Sequence, residues 1–424
     1  MTAALRAPPP SVTVTAGRLA VAEAALVLAG LLLLVTGVRV GLAAAALRGT
    51  RPTGERGHDG TGHDDAGHDV TGPDVTGRAV TGRDVTVLQA IRSGDPLMPG
   101  HLRENLAHQP GARFVWLVDE DDPAGRAAAH AAARDAGDRV QVLVVPPLPA
   151  GRNPKVFKLV LGLPLAGELV AVLDDDTVLP PGALDRACAA LAGGDVVTGV
   201  PVYREQGSLW SRLVAAFVNG SSLVTYLPLA RVTPPVTLNG MFYVTRRAVL
   251  EELGGFAAIE ERLCDDYEMA LLYRRAGRTV VQAPVVHPLA TTVPTARAYG
   301  RIMRRWMVFA GQVLRSDLSP AMVGLVVVPS VLPAVAAGVA ILSGDLRVVV
   351  VALAALLGKA AATALLRRHA GAPASLGGAL LEPVSDLLLP LHLLGALVRP
   401  HRVTWRDREI DTRPGVLARG GGPA

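Results

Sequence analysis

Three consecutive aspartates, Asp174, Asp175 and Asp176, follow a short apolar run in the middle of the chain. An apolar run of this length before turn residues predicts a buried strand. Carboxylates this close together repel one another, and a divalent cation such as Mg2+ relieves the repulsion and links a carboxylate to substrate phosphates. The triplet therefore indicates metal-assisted phosphate chemistry, with an acidic turn that has no chemical role as the alternative.

The composition indicates a membrane protein. Half of the 424 residues are hydrophobic, mainly Ala, Val and Leu, and only 4% are aromatic. The formal charge of +5 is small for this length. It suits a cytoplasm-facing membrane protein, and we expect no nucleic-acid partner because no concentrated basic stripe is present. The two cysteines, Cys188 and Cys264, indicate neither a disulfide framework nor a zinc site.

The N-terminal region divides into an apolar run and a polar stretch. Residues 19–47 are long and apolar enough to span a bilayer, so we interpret residues 1–48 as a transmembrane anchor rather than a cleavable signal peptide. Arg48 and Arg51 at its end predict that this end faces the cytoplasm. Residues 49–84 are of low complexity, with repeated Thr-Gly-x-Asp-Val and three spaced histidines. This composition predicts a flexible linker, and a metal-binding tract is the alternative.

Residues 85–316 alternate strand and helix patterns. Strand candidates are residues 85–91, 114–118, 140–145 and the run that ends at Leu173. Alternating strands and helices predict an α/β domain with a mostly parallel sheet covered on both faces. The second strand ends in an acidic cluster at residues 119–122, so we expect both acidic clusters at one edge of the sheet.

The C-terminal third is apolar again. Candidate spans are residues 320–344, 346–366 and 375–398, within a membrane region that we place at 317–399. The last candidate contains Glu382 and Asp386, which should face protein or water, so a re-entrant segment is an alternative. Three full spans would put the basic tail, residues 400–424, outside, and we expect one segment not to cross. Residues 209–231 predict either an amphipathic interfacial helix or a buried core helix.

Three further motifs follow in order along the α/β region. Lys155 comes after Asn-Pro just before a predicted helix, where its ammonium group can meet a phosphate. Asp266 lies at the start of another predicted helix, which stabilises it as an anion and makes it a candidate general base. Arg-Arg-Trp at residues 304–306 suits a pyrophosphate clamp, and a juxtamembrane basic patch is the alternative.

Taken together, the motifs in this order resemble membrane-bound family 2-type glycosyltransferases of the GT-A fold. The resemblance covers residues 85–306 and is greatest to the ceramide glucosyltransferase and hopanoid-associated glycosyltransferase group. It implies a GT-A domain, Rossmann-like with a mostly parallel sheet, between N-terminal and C-terminal transmembrane helices. It also implies an inverting enzyme in the cell membrane, multi-pass, whose cytoplasmic domain moves a hexose from a nucleotide sugar, a UDP-hexose, to a lipid hydroxyl in the bilayer.

The resemblance also assigns roles to individual residues. Asp266 falls on the catalytic base, and Asp174 and Asp176 fall on the ligands of Mg2+ or Mn2+. The residues that it assigns to nucleotide-sugar binding are Asp119, Asp121, Asp122, Lys155, Asp174, Asp175, Arg304, Arg305 and Trp306.

Departures from the family pattern keep two rival functions open. Ile302 stands at the first position of the (Gln/Arg)-x-x-Arg-Trp motif, and Arg301 comes one residue early. A processive polysaccharide synthase would share the aspartates, but Ile302 and the small number of spans count against it. An inactive membrane scaffold is the second rival, and the retained acidic motifs count against it. Trp405 and Arg406 resemble a tail signature of related enzymes.

Overall fold

The structure, a computed structural model, describes residues 10–49, 85–398, 402–405 and 408–411. Nearly all of the predicted linker and most of the predicted tail, including Arg406, lie outside these residues. The elements in chain order are α1 (Pro10–Arg48), β1 (Val85–Ile91), α2 (Met98–His108), β2 (Arg113–Asp119), α3 (Pro123–Ala133), β3 (Val140–Val145), α4 (Pro154–Gly162), β4 (Leu169–Leu173), α5 (Ala183–Ala190), β5 (Val196–Tyr203), α6 (Leu209–Asn219), α7 (Ser222–Val232), β6 (Phe242–Arg246), α8 (Arg247–Glu252), α9 (Asp265–Arg275), β7 (Val280–Leu289), α10 (Ala296–Asp317), α11 (Pro320–Met322), α12 (Val328–Ser343), α13 (Leu346–His369), α14 (Leu376–Val398), β8 (Arg402–Trp405) and β9 (Arg408–Asp411).

Seven strands form one mixed sheet in the order β3-β2-β1-β4-β6-β5-β7. Only β6 runs antiparallel to its neighbours in this sheet, so the prediction of a mostly parallel α/β sheet is confirmed. Successive side chains of β2 alternate between two apolar clusters, because neighbouring residues of a strand point to opposite faces. Trp116 packs in one cluster and Leu117 in the other, so helices cover both faces.

The antiparallel strand β6 brings a distant loop to the end of β4. Leu173 pairs with Phe242, so the residues just before β6 lie beside the residues just after β4. The backbone N–H of Asp174 donates to the carbonyl oxygen of Met241 at 3.0 Å. The loop around Gly240 therefore forms one wall of the edge where the acidic triplet emerges.

Five helical segments in the described part of the chain are long and apolar enough to cross a membrane. They are α1, the pair α6–α7, the stretch Pro320–Ser343, α13 and α14. Apolar side chains pack α1 against α12 and α13, with Leu32, Leu332 and Leu356 in one buried cluster. A single π-helical turn, Val323–Val327, joins α11 to α12. These helices agree with the predicted apolar segments at both ends of the domain.

The segment predicted as one helix at 209–231 is two helices, which corrects that prediction. The break falls at Gly220 and Ser221, between α6 and α7. Val200 of β5, Leu223 of α7 and Ala43 of α1 share one apolar cluster, so α7 lies between the sheet and the long helices. This position agrees with the buried-helix alternative.

Candidate active site

The ammonium group of Lys155 lies between two acidic segments. Its Nζ is 2.7 Å from Asp174 Oδ1 and 3.1 Å from Asp265 Oδ2, and it donates to the carbonyl oxygen of Gly240 at 2.7 Å. The side chain of Asn153 caps α4 and so fixes where this helix begins, with Lys155 in its first turn. Burial alone would lower the pKa of Lys155, but the two carboxylates outweigh it and raise the pKa well above its usual value. One lysine thus joins the end of β4, the start of α9 and the loop before β6.

The aspartates after β4 repel one another in a buried cleft. Burial and the charges of Asp174 and Asp175 raise the pKa of Asp176 to about 7. Burial also raises the pKa of Asp174, although the charge of Lys155 opposes the shift. Asp176 Oδ2 accepts a hydrogen bond from Thr291 Oγ1 at 2.8 Å. Because the carboxylates raise one another's pKa, added positive charge in this cleft is favoured.

These residues fit a divalent cation that is shared with a substrate. Across the described ranges, no group of three or more His, Cys, Asp or Glu side chains is placed to hold a metal by itself. Mg2+ is usually bound by one or two carboxylates together with water and substrate phosphates. Asp174 and Asp176 supply two carboxylates whose charges are under-compensated, so this donor set fits a cation that binds with a diphosphate.

The first acidic cluster meets the aspartate triplet at Arg92. Its Nη1 is 2.9 Å from Asp119 Oδ2 and 2.5 Å from Asp121 Oδ1, and its backbone N–H donates to Asp175 Oδ2 at 2.9 Å. Lys158 Nζ also lies 2.8 Å from Asp119 Oδ2. The expectation that both acidic clusters lie at one edge of the sheet is therefore confirmed.

Asp266 is the second residue of α9. Its Oδ1 accepts hydrogen bonds from the backbone N–H of Tyr267 at 2.7 Å and from Cys264 Sγ at 3.0 Å. Burial and the neighbouring Asp265 raise the pKa of this carboxyl. A Cβ at Gly240 would lie 3.0 Å from the Cβ of Asp266, so this close approach favours glycine. A carboxyl group with a raised pKa beside a cleft has the chemistry of a general base.

The Arg-Arg-Trp motif lies on α10, where its residues divide between two environments. The Trp306 ring stacks on Phe217 with centroids 5.9 Å apart and meets Tyr203 edge-on at 6.5 Å. Ile302, one turn earlier, packs in the same apolar cluster. Burial and the charge of Asp176 raise the pKa of Tyr203, and the charge of Arg305 opposes the shift. The charges of Arg305 and Asp176 therefore both act on the hydroxyl group of Tyr203.

A model of glycosyl transferase family 21 matches residues 114–418, well over half of the sequence. This chain belongs to glycosyl transferase family 21. The prediction that it is a glycosyltransferase is thereby confirmed. The match extends from β2 beyond α14, so it covers both acidic clusters and Asp266.

Two solved glycosyltransferases illustrate what the family 21 chain is similar to. One is the mannosyltransferase PcManGT from Pyrobaculum calidifontis in complex with GDP-Man and Mn2+, with 20% identity over 88% of this chain and 98% of that chain and a TM-score of 0.45. Another is glucosyl-3-phosphoglycerate synthase from Mycobacterium tuberculosis in complex with Mn2+, uridine diphosphate and phosphoglyceric acid, with 17% identity over 56% of this chain and 80% of that chain and a TM-score of 0.35. No curated protein matches the sequence significantly.

Asp122 of the family 21 domain has its carboxylate engaged by nearby groups. Its oxygens accept from the backbone N–H of Ser93 at 2.7 Å, from Ser93 Oγ at 2.5 Å and from the backbone N–H of Gly125 at 2.9 Å. The side chain thereby caps α3. Burial would raise the pKa of Asp122, but these hydrogen bonds outweigh it and lower the pKa. Its predicted role in nucleotide binding must therefore coexist with a structural one.

Replacing Asp122 by Ala should lower the free energy of unfolding by about 1–2 kcal/mol, because α3 loses its cap and Ser93 loses its partner. Chemical denaturation of the purified protein measures this change. Asp121→Ala is the matched control, since Asp121 is 69% exposed and its ion pair with Arg92 is at the surface. Equal losses in the two variants would contradict a capping role for Asp122.

Several side chains of the cleft were not singled out from the sequence. Arg92 directly follows β1, and Lys158 lies one turn after Lys155 on α4, so their positions next to predicted elements could have identified them. Thr291 and Tyr203 carry no comparable local signal. They reach the cleft from the ends of β7 and β5, which only the folded sheet brings beside Asp176.

Proposed function

We propose that this family 21 glycosyltransferase transfers a hexose from a UDP-sugar to the hydroxyl of a membrane lipid, as the ceramide glucosyltransferase and hopanoid-associated group does. The observation that supports this most strongly is the position of Lys155. Its ammonium group pairs with Asp174, a proposed metal ligand, and with Asp265, the neighbour of the proposed base Asp266. The residues proposed for the leaving group and for the acceptor therefore share one cleft.

The proposed reaction is a single displacement. Asp174 and Asp176 would hold Mg2+ or Mn2+, which when bound neutralises the diphosphate and acts as a Lewis acid. Asp266 takes the proton of the acceptor hydroxyl, while the oxygen of that hydroxyl forms a bond to the anomeric carbon. The bond from that carbon to the diphosphate oxygen breaks, and the nucleoside diphosphate leaves. One displacement inverts the anomeric centre, so an α-linked donor gives a β-linked product.

The remaining predicted residues suit the nucleotide half of the donor. Arg92 holds Asp119 and Asp121 together at the edge of the sheet, where the nucleotide would contact them. Arg305 lies in electrostatic range of Tyr203, as does Asp176. An arginine there can pair with the leaving diphosphate. We retain Asp122, Asp175, Arg304 and Trp306 as proposed donor-binding residues.

The helices support a membrane topology with three crossings, by α1, α12 and α13. The helix α14 has a lower mean hydropathy than these three and packs against the catalytic domain. The hydroxyl of Tyr299 on α10 lies 2.9 Å from His392 Nε2 on α14. Arg48 ends α1 and Arg368 lies in the last turn of α13, so both basic ends favour a cytoplasmic face. With α14 not crossing, the tail returns to the same side.

We retain the predicted division of the chain as part of this proposal. It comprises an anchor at 1–48, a linker at 49–84, the glycosyltransferase domain at 85–316, membrane segments at 317–399 and a cytoplasmic tail at 400–424.

A donor screen tests the proposed function. Membranes that contain the chain, and membranes with Asp266→Asn, are incubated with radiolabelled UDP-glucose, UDP-galactose, UDP-N-acetylglucosamine or GDP-mannose in Mg2+ or Mn2+. We expect label from a UDP-hexose in the organic extract and its loss in the variant. Label in a water-soluble or insoluble polymer would instead identify a polysaccharide synthase. No incorporation from any donor would favour an inactive scaffold.

A further inference from the structure

A buried ion pair joins the last turn of α13 to the second turn of α14. Arg367 Nη1 lies 2.6 Å from Glu382 Oε1, and Thr363 Oγ1 donates to Glu382 Oε2 at 2.6 Å. The side chain of Arg367 is 0% exposed and that of Glu382 is 1% exposed. Removing two charges from water costs free energy that their attraction does not always recover. A pair buried this completely therefore calls for an explanation beyond helix packing.

The same arginine also contacts the end of α6. Arg367 Nη1 donates to the carbonyl oxygen of Asn219 at 2.7 Å. The side chain of Asn219 in turn bonds both backbone groups of Tyr203, the last residue of β5. It accepts from the Tyr203 N–H at 2.8 Å and donates to the Tyr203 carbonyl oxygen at 3.0 Å. Asn219 thus serves as the hydrogen-bonding partner that the end of this strand would otherwise need.

Tyr203 links Asn219 to residues of the candidate active site. Its ring meets Trp306 edge-on. Tyr203 pairs with Leu289 at the end of β7, and two groups just beyond that residue bind Asp176. The backbone N–H of Ala290 donates to the carbonyl oxygen of Asp176 at 3.1 Å, and Thr291 Oγ1 donates to Asp176 Oδ2 at 2.8 Å. A continuous series of contacts therefore runs from Glu382 in α14 to Asp176.

We propose that Arg367, Glu382 and Asn219 are positioning residues that hold Tyr203, and through it Trp306 and Asp176, in the geometry that binds the donor. The inference rests on the proposed function, because it takes Asp176 and Trp306 as donor-binding residues. It adds that the C-terminal helices α13 and α14 contribute to donor affinity. This role explains why the charges are buried, because the pairing with Glu382 holds the guanidinium group of Arg367 in a fixed direction toward Asn219.

A second ion pair between the same two helices provides a matched control. Lys359 Nζ lies 2.8 Å from Asp386 Oδ2, and the side chains are 5% and 20% exposed. Both oxygens of Asp386 accept from this lysine, at 3.1 and 2.8 Å. Asp386→Asn therefore weakens a comparable α13–α14 contact without touching the bonds of Asn219.

The experiment compares Glu382→Gln, Asn219→Ala and Asp386→Asn in the full chain in lipid nanodiscs. We expect the first two to raise the donor KM by about tenfold to a hundredfold, because small displacements of binding groups have effects of that size. Asp386→Asn should leave the donor KM unchanged while lowering the melting temperature about as much as Glu382→Gln. If the donor KM rose in all three variants in proportion to the drop in melting temperature, the control Asp386→Asn included, the inference would be overturned.

A spectroscopic readout needs neither donor nor acceptor. With 5-fluorotryptophan in place of the four tryptophans, the 19F resonance of Trp306 can be assigned with Trp306→Phe. It should shift in Asn219→Ala and stay in place in Asp386→Asn, and equal spectra would contradict the inference. If Glu382→Gln does not fold, Asn219→Asp serves instead, because it leaves the ion pair intact and removes the donor to Tyr203. A wild type that transfers to no lipid would overturn the proposed acceptor, while these spectra would still decide the inference.

Discussion

Asp266→Asn should lower the rate of hexose transfer by about a hundredfold to ten-thousandfold, the range typical for loss of a general base. The amide has the shape of the carboxylate and can still accept the hydrogen bond from the N–H of Tyr267, so α9 should keep its start. Donor affinity should change little, because the contacts proposed for the nucleotide lie at Asp119, Asp121 and Asp174. Measurement of kcat and of donor KM separates the two effects.

The pH dependence provides a second test of the base. Burial and Asp265 raise the pKa of Asp266, and a base acts only when it is deprotonated. The transfer rate should therefore fall as pH drops through this raised pKa, which lies above the usual value of 3.8. Asp266→Asn should lack this acidic limb.

Glu268→Gln is the control for that experiment. Glu268 lies in the same acidic first turn of α9, so its replacement changes the charge at the helix start in the same way. We expect it to keep near wild-type transfer and the acidic limb. If Asp266→Asn retained full activity, or if both variants lost it equally, Asp266 would not be the base.

Asp176→Asn should remove most of the metal-dependent binding of UDP. The amide keeps the size of the side chain and can accept the hydrogen bond from Thr291 Oγ1, so the change removes mainly charge. Replacing an outer-sphere partner of a metal costs roughly ten- to a hundredfold in affinity, and loss of a direct ligand should cost at least as much. Calorimetric titration of UDP in Mn2+, repeated in EDTA, measures the metal-dependent part.

The control for this variant is Glu251→Gln. Glu251 forms an exposed ion pair with Arg247 on α8, at 2.7 Å, and its loss removes one carboxylate away from the cleft. Its titration should match the wild type in Mn2+ and in EDTA. Undiminished Mn2+-dependent binding by Asp176→Asn would rule out Asp176 as a ligand.

The local pattern of the sequence determined the strands and much of the site. The strands predicted at 85–91 and 140–145 agree with β1 and β3, because short apolar runs between turn residues have few other ways to be buried. The meeting of the two acidic clusters was predictable as well, since the carboxyl ends of neighbouring parallel strands reach the same edge. The long apolar helices were evident from length and hydropathy alone.

Tertiary structure alone decided which partners these residues have. Nothing in the sequence placed the antiparallel strand β6 between β4 and β5, and it is β6 that brings Gly240 beside Asp174. Lys155 fits a phosphate ligand by its motif, yet here it pairs with Asp174 and Asp265. Arg367 and Asn219 are separated by 148 positions and still bond at 2.7 Å. Such contacts depend on how distant elements pack, because hydrogen bonding and burial act on neighbours in space whatever their separation along the chain.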